Sequence, residues 1–189
     1  MKKSLTLLGG LLLAAAAAQA QTALLPGPYF IVAGGQSEFE ADCSGLQSCD
    51  KSGNAIKAIG GYRFGGGLAV EGVVLDFGKT TGALGGATAD LKVRAIGVGA
   101  ALHADLAPRL GVTLRAGLAN VRAEGIGSFG GAQVLSESDS SMQAYVGVGF
   151  AFSFTKTLAL EAAWDGSRGE LNDDGGRVSA FTLGLKFSF

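Results

Sequence analysis

Apolar and polar residues alternate with a period of two through most of the chain beyond residue 27. The stretch from Ser141 to Phe154 shows this most clearly. Its even positions are Met142, Ala144, Val146, Val148, Phe150, Phe152 and Phe154; its odd positions are Ser141, Gln143, Tyr145, Gly147, Gly149, Ala151 and Ser153. One side is uniformly apolar and the other mostly small or polar, the pattern of a strand and not of a helix. The same reading predicts eight strands, near 28–40, 54–65, 67–79, 88–103, 110–124, 141–155, 157–167 and 176–189.

The connections alternate in length. Gly65-Gly66-Gly67, His103 to Leu110 and Thr155-Lys156-Thr157 are short, whereas 41–53, 79–88, 124–140 and 167–176 are longer and polar. Short periplasmic turns alternating with longer extracellular loops characterise transmembrane barrels. The expected fold is therefore all-β, an eight-stranded antiparallel up-and-down transmembrane β-barrel. A lipocalin-like or sandwich domain is the soluble alternative, but it would not carry long runs of large apolar residues on its outer face.

Charge decides which face meets lipid. Lys57 and Arg63 share a face opposite Ile56, Tyr62 and Phe64. Val112, Leu114 and Leu118 oppose Thr113 and Arg115, and Leu158, Leu160 and Trp164 oppose Glu161 and Asp165. In the last strand Phe181, Leu183, Leu185, Phe187 and Phe189 oppose Thr182, Gly184, Lys186 and Ser188. A lipid-facing cation near the bilayer midplane costs about 2–4 kcal/mol, so the charged faces line the lumen. Two strands fit less well. Glu71 and Asp76 have opposite parity, which requires a bulge or an early exit from the membrane. Lys92 and Arg94 share parity with Ile96 and Val98, which leaves the lower half of the fourth strand unassigned. Tyr29, Tyr62, Phe64, Phe154, Phe187 and Phe189 fall near the short-turn end and suit an aromatic girdle.

The start of the chain supplies an address. Lys2 and Lys3 precede an apolar run from Leu5 to Ala18, and Ala18-Gln19-Ala20 offers a small-x-small cleavage site. This is the order of a secretory signal peptide, expected over residues 1–20, with one barrel domain over 21–189. Without Lys2 and Lys3 the chain carries 13 basic and 16 acidic residues, with no basic patch for nucleic acid. Cys43 and Cys49, close together in an exported polar segment, are expected to form one disulfide. Closing so short a loop contributes about 2 kcal/mol in the chain-entropy model. Two thiols without further ligands do not make a zinc site. No cofactor or metal is expected, and Glu170, Asp173 and Asp174 read as a solvated acidic loop. His103, the single histidine, falls in a predicted periplasmic turn and is expected to be solvated, at the wrong end for lipid chemistry.

The closing residues TLGLKFSF resemble the C-terminal recognition signal of outer-membrane barrels, with Thr182, Gly184, Phe187 and Phe189 at its positions. That resemblance implies recognition by the barrel assembly machinery. From Gly27 to Phe189 the chain is similar to the OmpA-type small outer-membrane β-barrel domain family. GGYRFGGGLAVEGVVLDFGK resembles its second hairpin, TLRAGLANVRAEG its fifth strand and LALEAAW its seventh. The family implies a charged lumen network at Glu71, Arg115 and Glu161, with Lys186 a further member. With no sequence after Phe189, the family's peptidoglycan-binding role is not expected. The expected function is structural or surface-interacting, in a monomer surrounded by outer-membrane lipids and lipopolysaccharide, its loops open to a surface ligand. A narrow ion channel is the alternative, and a lipid A-modifying enzyme ranks last.

Overall fold

The computed structural model describes residues 26–40, 48–84, 87–130, 132–171 and 174–189. The expected signal segment and Cys43 lie outside them. In chain order the strands are β1 (Gly27–Phe39), β2 (Ser48–Cys49), β3 (Ser52–Arg63), β4 (Leu68–Leu84), β5 (Ala87–Ala107), β6 (Leu110–Phe129), β7 (Ala132–Ser153), β8 (Leu158–Leu171) and β9 (Asp174–Ser188). Their order in the sheet is β2-β4-β3-β1-β9-β8-β7-β6-β5, and a β4–β5 pairing closes the circle. The two-residue β2 lies on the outer end of β4, and the other eight strands form a closed antiparallel barrel. β1 pairs with β3 from Gly27↔Arg63 onward and with β9 from Tyr29↔Ser188 onward. Closure pairs backbone groups that hydrocarbon could not solvate.

The alternation of the sequence becomes an inside-out distribution. Tyr29, Ile31 and Ala33 are buried inward, while Phe30 and Val32 between them are exposed. Ile56, Val74, Ile96, Val98, Leu114, Leu118, Met142, Phe150, Trp164, Phe181 and Leu183 continue the exposed apolar belt around the wall. A soluble monomer rarely exposes so large a contiguous apolar surface.

Several strands outrun their predicted ends. Residues 79–88, 124–140 and 167–176 were expected as loops, yet pairing continues to Leu84↔Ala87, Phe129↔Ala132 and Leu171↔Asp174. The apolar pattern stops at the membrane edge, but ladder hydrogen bonds need no apolar side chain, so these hairpins continue into water. At the other end the connections stay short, with a 3-10 turn over Gly65–Gly67.

The irregular strand is β4, which makes both the exit and the bulge. Glu71 faces inward, whereas Asp76 faces outward and pairs with Arg94 at 2.9 Å, one step beyond Val74 and Ile96. The register then shifts between Asp76 and Lys79. Gly78 turns there with φ +75°, its N–H donating to Asp76 Oδ1 at 2.8 Å. In β5, Arg94, Ile96, Val98 and Leu102 all face outward, so the fourth strand keeps one parity along its length.

Two expectations are corrected. Tyr29 is not a girdle aromatic: it is 3 % exposed and faces the lumen, sharing parity with Ile31. His103 is not in a turn: β5 runs to Ala107 and the reversal occupies only residues 108–109, so His103 shares the inward face of Ala101 and is buried. Tyr62, Phe64, Phe154, Phe187 and Phe189 are exposed at the short-turn end, where Tyr62 and Phe64 meet edge-on with ring centroids 5.3 Å apart.

Candidate functional site: the charged lumen

Among the described residues six buried charged side chains face the lumen, three cations (Lys57, Arg115, Lys186) and three anions (Glu71, Glu161, Asp165). They stand on five strands, Glu161 and Asp165 sharing β8, and the pleat aims each inward. Arg115 on β6 is the hub. Its Nε lies 3.1 Å from Glu71 Oε2 on β4, and its Nη2 lies 3.0 and 3.1 Å from the two carboxylate oxygens of Glu161 on β8. All three side chains have at most 1 % exposure. A guanidinium fork suits this bridging between two carboxylates, because its donors are rigid and planar.

The register makes room for these long side chains. Glu71 is flanked in the neighbouring strands by Gly61 and Gly99, Arg115 by Ala101 and Gly147, and Glu161 by Ala151 and Gly184. A Cβ on Gly61 would stand 2.5 Å from Tyr29 Cζ, and one on Gly149 would stand 2.9 Å from Arg115 Nη1. In a barrel this narrow, large side chains fit only beside small ones.

A second layer extends the network toward the short-turn end. The Tyr29 hydroxyl donates to Glu71 Oε1 at 2.5 Å, and His103 Nε2 lies 3.2 Å from that hydroxyl. His103 Nδ1 is 2.8 Å from Thr113 Oγ1 and 3.3 Å from Lys186 Nζ, and Lys186 stands over the Tyr29 ring at 4.7 Å. Toward the opposite end, Lys57 Nζ donates to Asp165 Oδ2 at 2.5 Å. The structure thus gathers Glu71, Arg115 and Glu161 directly, and places Lys186 beside His103. Lys57, Asp165, Tyr29 and His103 are members that the sequence reading did not assign to the network. Inward parity was the available signal for the first two.

Thr182 and Gly184 lie inward on β9, Thr182 fully buried and Gly184 against Val32 and Ala33. Phe187 and Phe189 face outward, and the Phe189 N–H donates to the Pro28 carbonyl at 3.0 Å. Cys43 and Asp173 lie outside the described residues, as do the side chains of Cys49, Glu170 and Asp174. Among the described residues no group of three or more His, Cys, Asp or Glu is placed to hold a metal ion.

A closed eight-stranded barrel with an apolar outer belt and a charged interior defines a small outer-membrane-type barrel. The model of the outer membrane protein beta-barrel domain family matches residues 6–189, and the chain belongs to that family. Neisserial surface protein A (NspA) is similar in fold, with TM-score 0.62 and 18% identity over 86% of this chain and 97% of that one. Ail of Yersinia pestis matches with TM-score 0.57 and 19% identity, covering 87% of this chain and 100% of the other. The N-terminal barrel domain of Pseudomonas aeruginosa OprF gives 0.57 and 18%, with coverage of 87% and 100%. At these identities the likeness is one of fold. No curated protein sequence matches the chain.

Proposed function

We propose that the protein is a monomeric outer-membrane barrel with a structural or surface-interacting role, its lumen plugged by the charged network. The supporting observation is the grip of Arg115 on Glu71 and Glu161 at mid-lumen, with every member buried. Opening a water path would require separating charges whose isolated burial is prohibitively costly, so the pairs hold the interior shut. On this reading residues 1–20 are removed on export, Cys43 and Cys49 are joined, and the assembly machinery recognises Thr182, Gly184, Phe187 and Phe189. Outer-membrane lipids and lipopolysaccharide surround the belt.

The exposed hairpins are the surface for any ligand. Ail has been crystallised with the heparin analogue sucrose octasulfate. Residues 38–54, 76–94, 122–140 and 166–178 of the present chain hold 12 acidic and 7 basic residues, an excess that disfavours a polysulfated ligand. A narrow channel is the second reading and a lipid enzyme the last. His103 and Thr113 do bring an imidazole to a hydroxyl, but Thr113 is 2 % exposed.

Single-channel recording in planar bilayers tests the plug. The wild-type barrel is expected to show no reproducible conductance. Steady openings abolished by a bulky lumen substitution would establish the channel instead.

A further inference from the structure

The β7–β8 ladder stops at Val146↔Gly166 and leaves a slot of about 760 Å³ in the wall. At its polar end Arg177 and Glu40 are exposed and 3.9 Å apart, so the charges there answer one another and select no occupant. The short-turn mouth of the lumen is built differently. It holds a cavity of about 450 Å³ whose lining carries Arg63, Lys156 and Lys186 against one carboxylate, Asp105. Arg63 ends β3, Lys186 stands on β9, and Lys156 lies in the turn between β7 and β8, so positive charge approaches from three directions.

Lys186 is the floor of this mouth, and it is only 6 % exposed. The hydrogen bonds around it define which donors it keeps. The Tyr29 hydroxyl has one proton and donates it to Glu71, so toward His103 Nε2 that oxygen accepts. Nε2 therefore carries the imidazole proton. The bare Nδ1 accepts from the Thr113 hydroxyl at 2.8 Å and from Lys186 Nζ at 3.3 Å. The other contact of the ammonium is the face of Tyr29, 4.7 Å from the ring centroid. Among the described residues Lys186 meets no carboxylate, whereas Lys57 and Arg115 each grip at least one. The surplus carboxylate of the lumen lies one layer deeper, in the Arg115 cluster, where it accepts from Tyr29. A lysine so deeply buried is ordinarily paired. An ammonium has three N–H groups, and His103 takes one, which leaves donors for the cavity that Lys186 lines.

We propose that the short-turn mouth is an oxyanion site for a phosphate-bearing ligand, with Lys186 at its floor and Arg63 and Lys156 at its rim. The Ser153 and Ser188 hydroxyls in the same lining add neutral donors. Donors thus reach the cavity from β3, β7 and β9, an arrangement that suits a tetrahedral anion better than a planar carboxylate. Two sources offer this chemistry, a soluble phosphate ester of the periplasm and the headgroup of an inner-leaflet phospholipid. The periplasmic side rests on the outer-membrane reading; the site itself is independent of the plug.

His103 is the only histidine, so its imidazole resonances report the floor of this mouth alone. The full barrel, folded in dodecyl maltoside micelles, is titrated with glycerol 3-phosphate at fixed pH and ionic strength. Sodium acetate and sodium chloride serve as comparisons. The expected result is a saturable shift of the His103 signals by the phosphate ester, and no saturation by acetate or chloride. Lys186→Met should raise half-saturation about tenfold, as a lost charge-assisted hydrogen bond implies. It strands no carboxylate, so the variant should keep its heat-dependent electrophoretic mobility. Lys156→Gln, at the exposed rim, should raise half-saturation only about twofold. A parallel series mixes phosphatidylglycerol into the micelles. Saturation by that lipid alone assigns the site to a headgroup, and saturation by glycerol 3-phosphate assigns it to a soluble ligand. Failure of the barrel reading would show separately, as loss of the mobility shift in the wild type. An equal response to all three anions, with none to the lipid, overturns the proposal. So does wild-type half-saturation in the folded Lys186→Met variant.

Discussion

Lys57 and Asp165, 108 positions apart in sequence, meet across the lumen at 2.5 Å with side-chain exposures of 0 % and 1 %. Neither charge would be tolerated there alone, and their pairing ties β3 to β8 across the barrel. Lys57→Ala should destabilise the barrel by about 3–5 kcal/mol, because it strands a buried carboxylate. The double change Lys57→Met with Asp165→Leu should recover most of that loss. Urea titration of the protein folded into lipid vesicles measures both, and additive losses would contradict the pairing.

Arg115 is held by two carboxylates, so its loss should exceed that of either acid. Arg115→Met leaves Glu71 and Glu161 facing one another, with an expected cost of about 3–5 kcal/mol. Adding Glu71→Gln and Glu161→Gln should restore stability, since the neutral amides no longer repel. A triple variant no more stable than Arg115→Met would show that packing, and not charge, holds this layer.

Gly78 has φ +75°, and a Cβ there would lie 2.4 Å from the Asn54 carbonyl oxygen. Gly78→Val should cost about 1–3 kcal/mol through backbone strain, confined to the bulge where β4 leaves the membrane. Hydrogen exchange should show faster amides around 76–80 and unchanged amides in β6. Uniform acceleration would mean that the bulge supports the whole barrel.

Deleting Phe189 should impair assembly in cells more than folding in detergent. The residue is 80 % exposed and contributes one backbone hydrogen bond to Pro28, so little stability is at stake. The comparison is between outer-membrane yield in cells and the heat-dependent mobility shift after refolding. Wild-type yield in cells would remove Phe189 from the assembly signal.

Cys43 and Cys49 should resist maleimide labelling in the exported protein until a reductant is added. Cys43→Ser should cost about 2 kcal/mol, from the entropy of the short loop. Immediate labelling of both thiols would disprove the disulfide.

The eight barrel strands, their alternate short connections and the outward apolar face were legible in the chain, because a period-two pattern maps directly onto a pleated wall. Parity also aimed Lys57, Arg115, Glu161, Asp165 and Lys186 inward. It could not choose their partners, since pairing depends on register and on which strands meet across the lumen. Parity also needs a correct strand end: an overlong predicted turn hid His103, and grouping Tyr29 with the girdle ignored its shared face with Ile31. The long hairpins escaped for a different reason, because backbone hydrogen bonds extend a ladder where no apolar pattern marks it. Tertiary structure alone ended the β7–β8 ladder at Val146 and Gly166 and opened the wall there. Each strand's sequence is compatible with continued pairing, and only the divergence of two neighbouring hairpins decides that it stops.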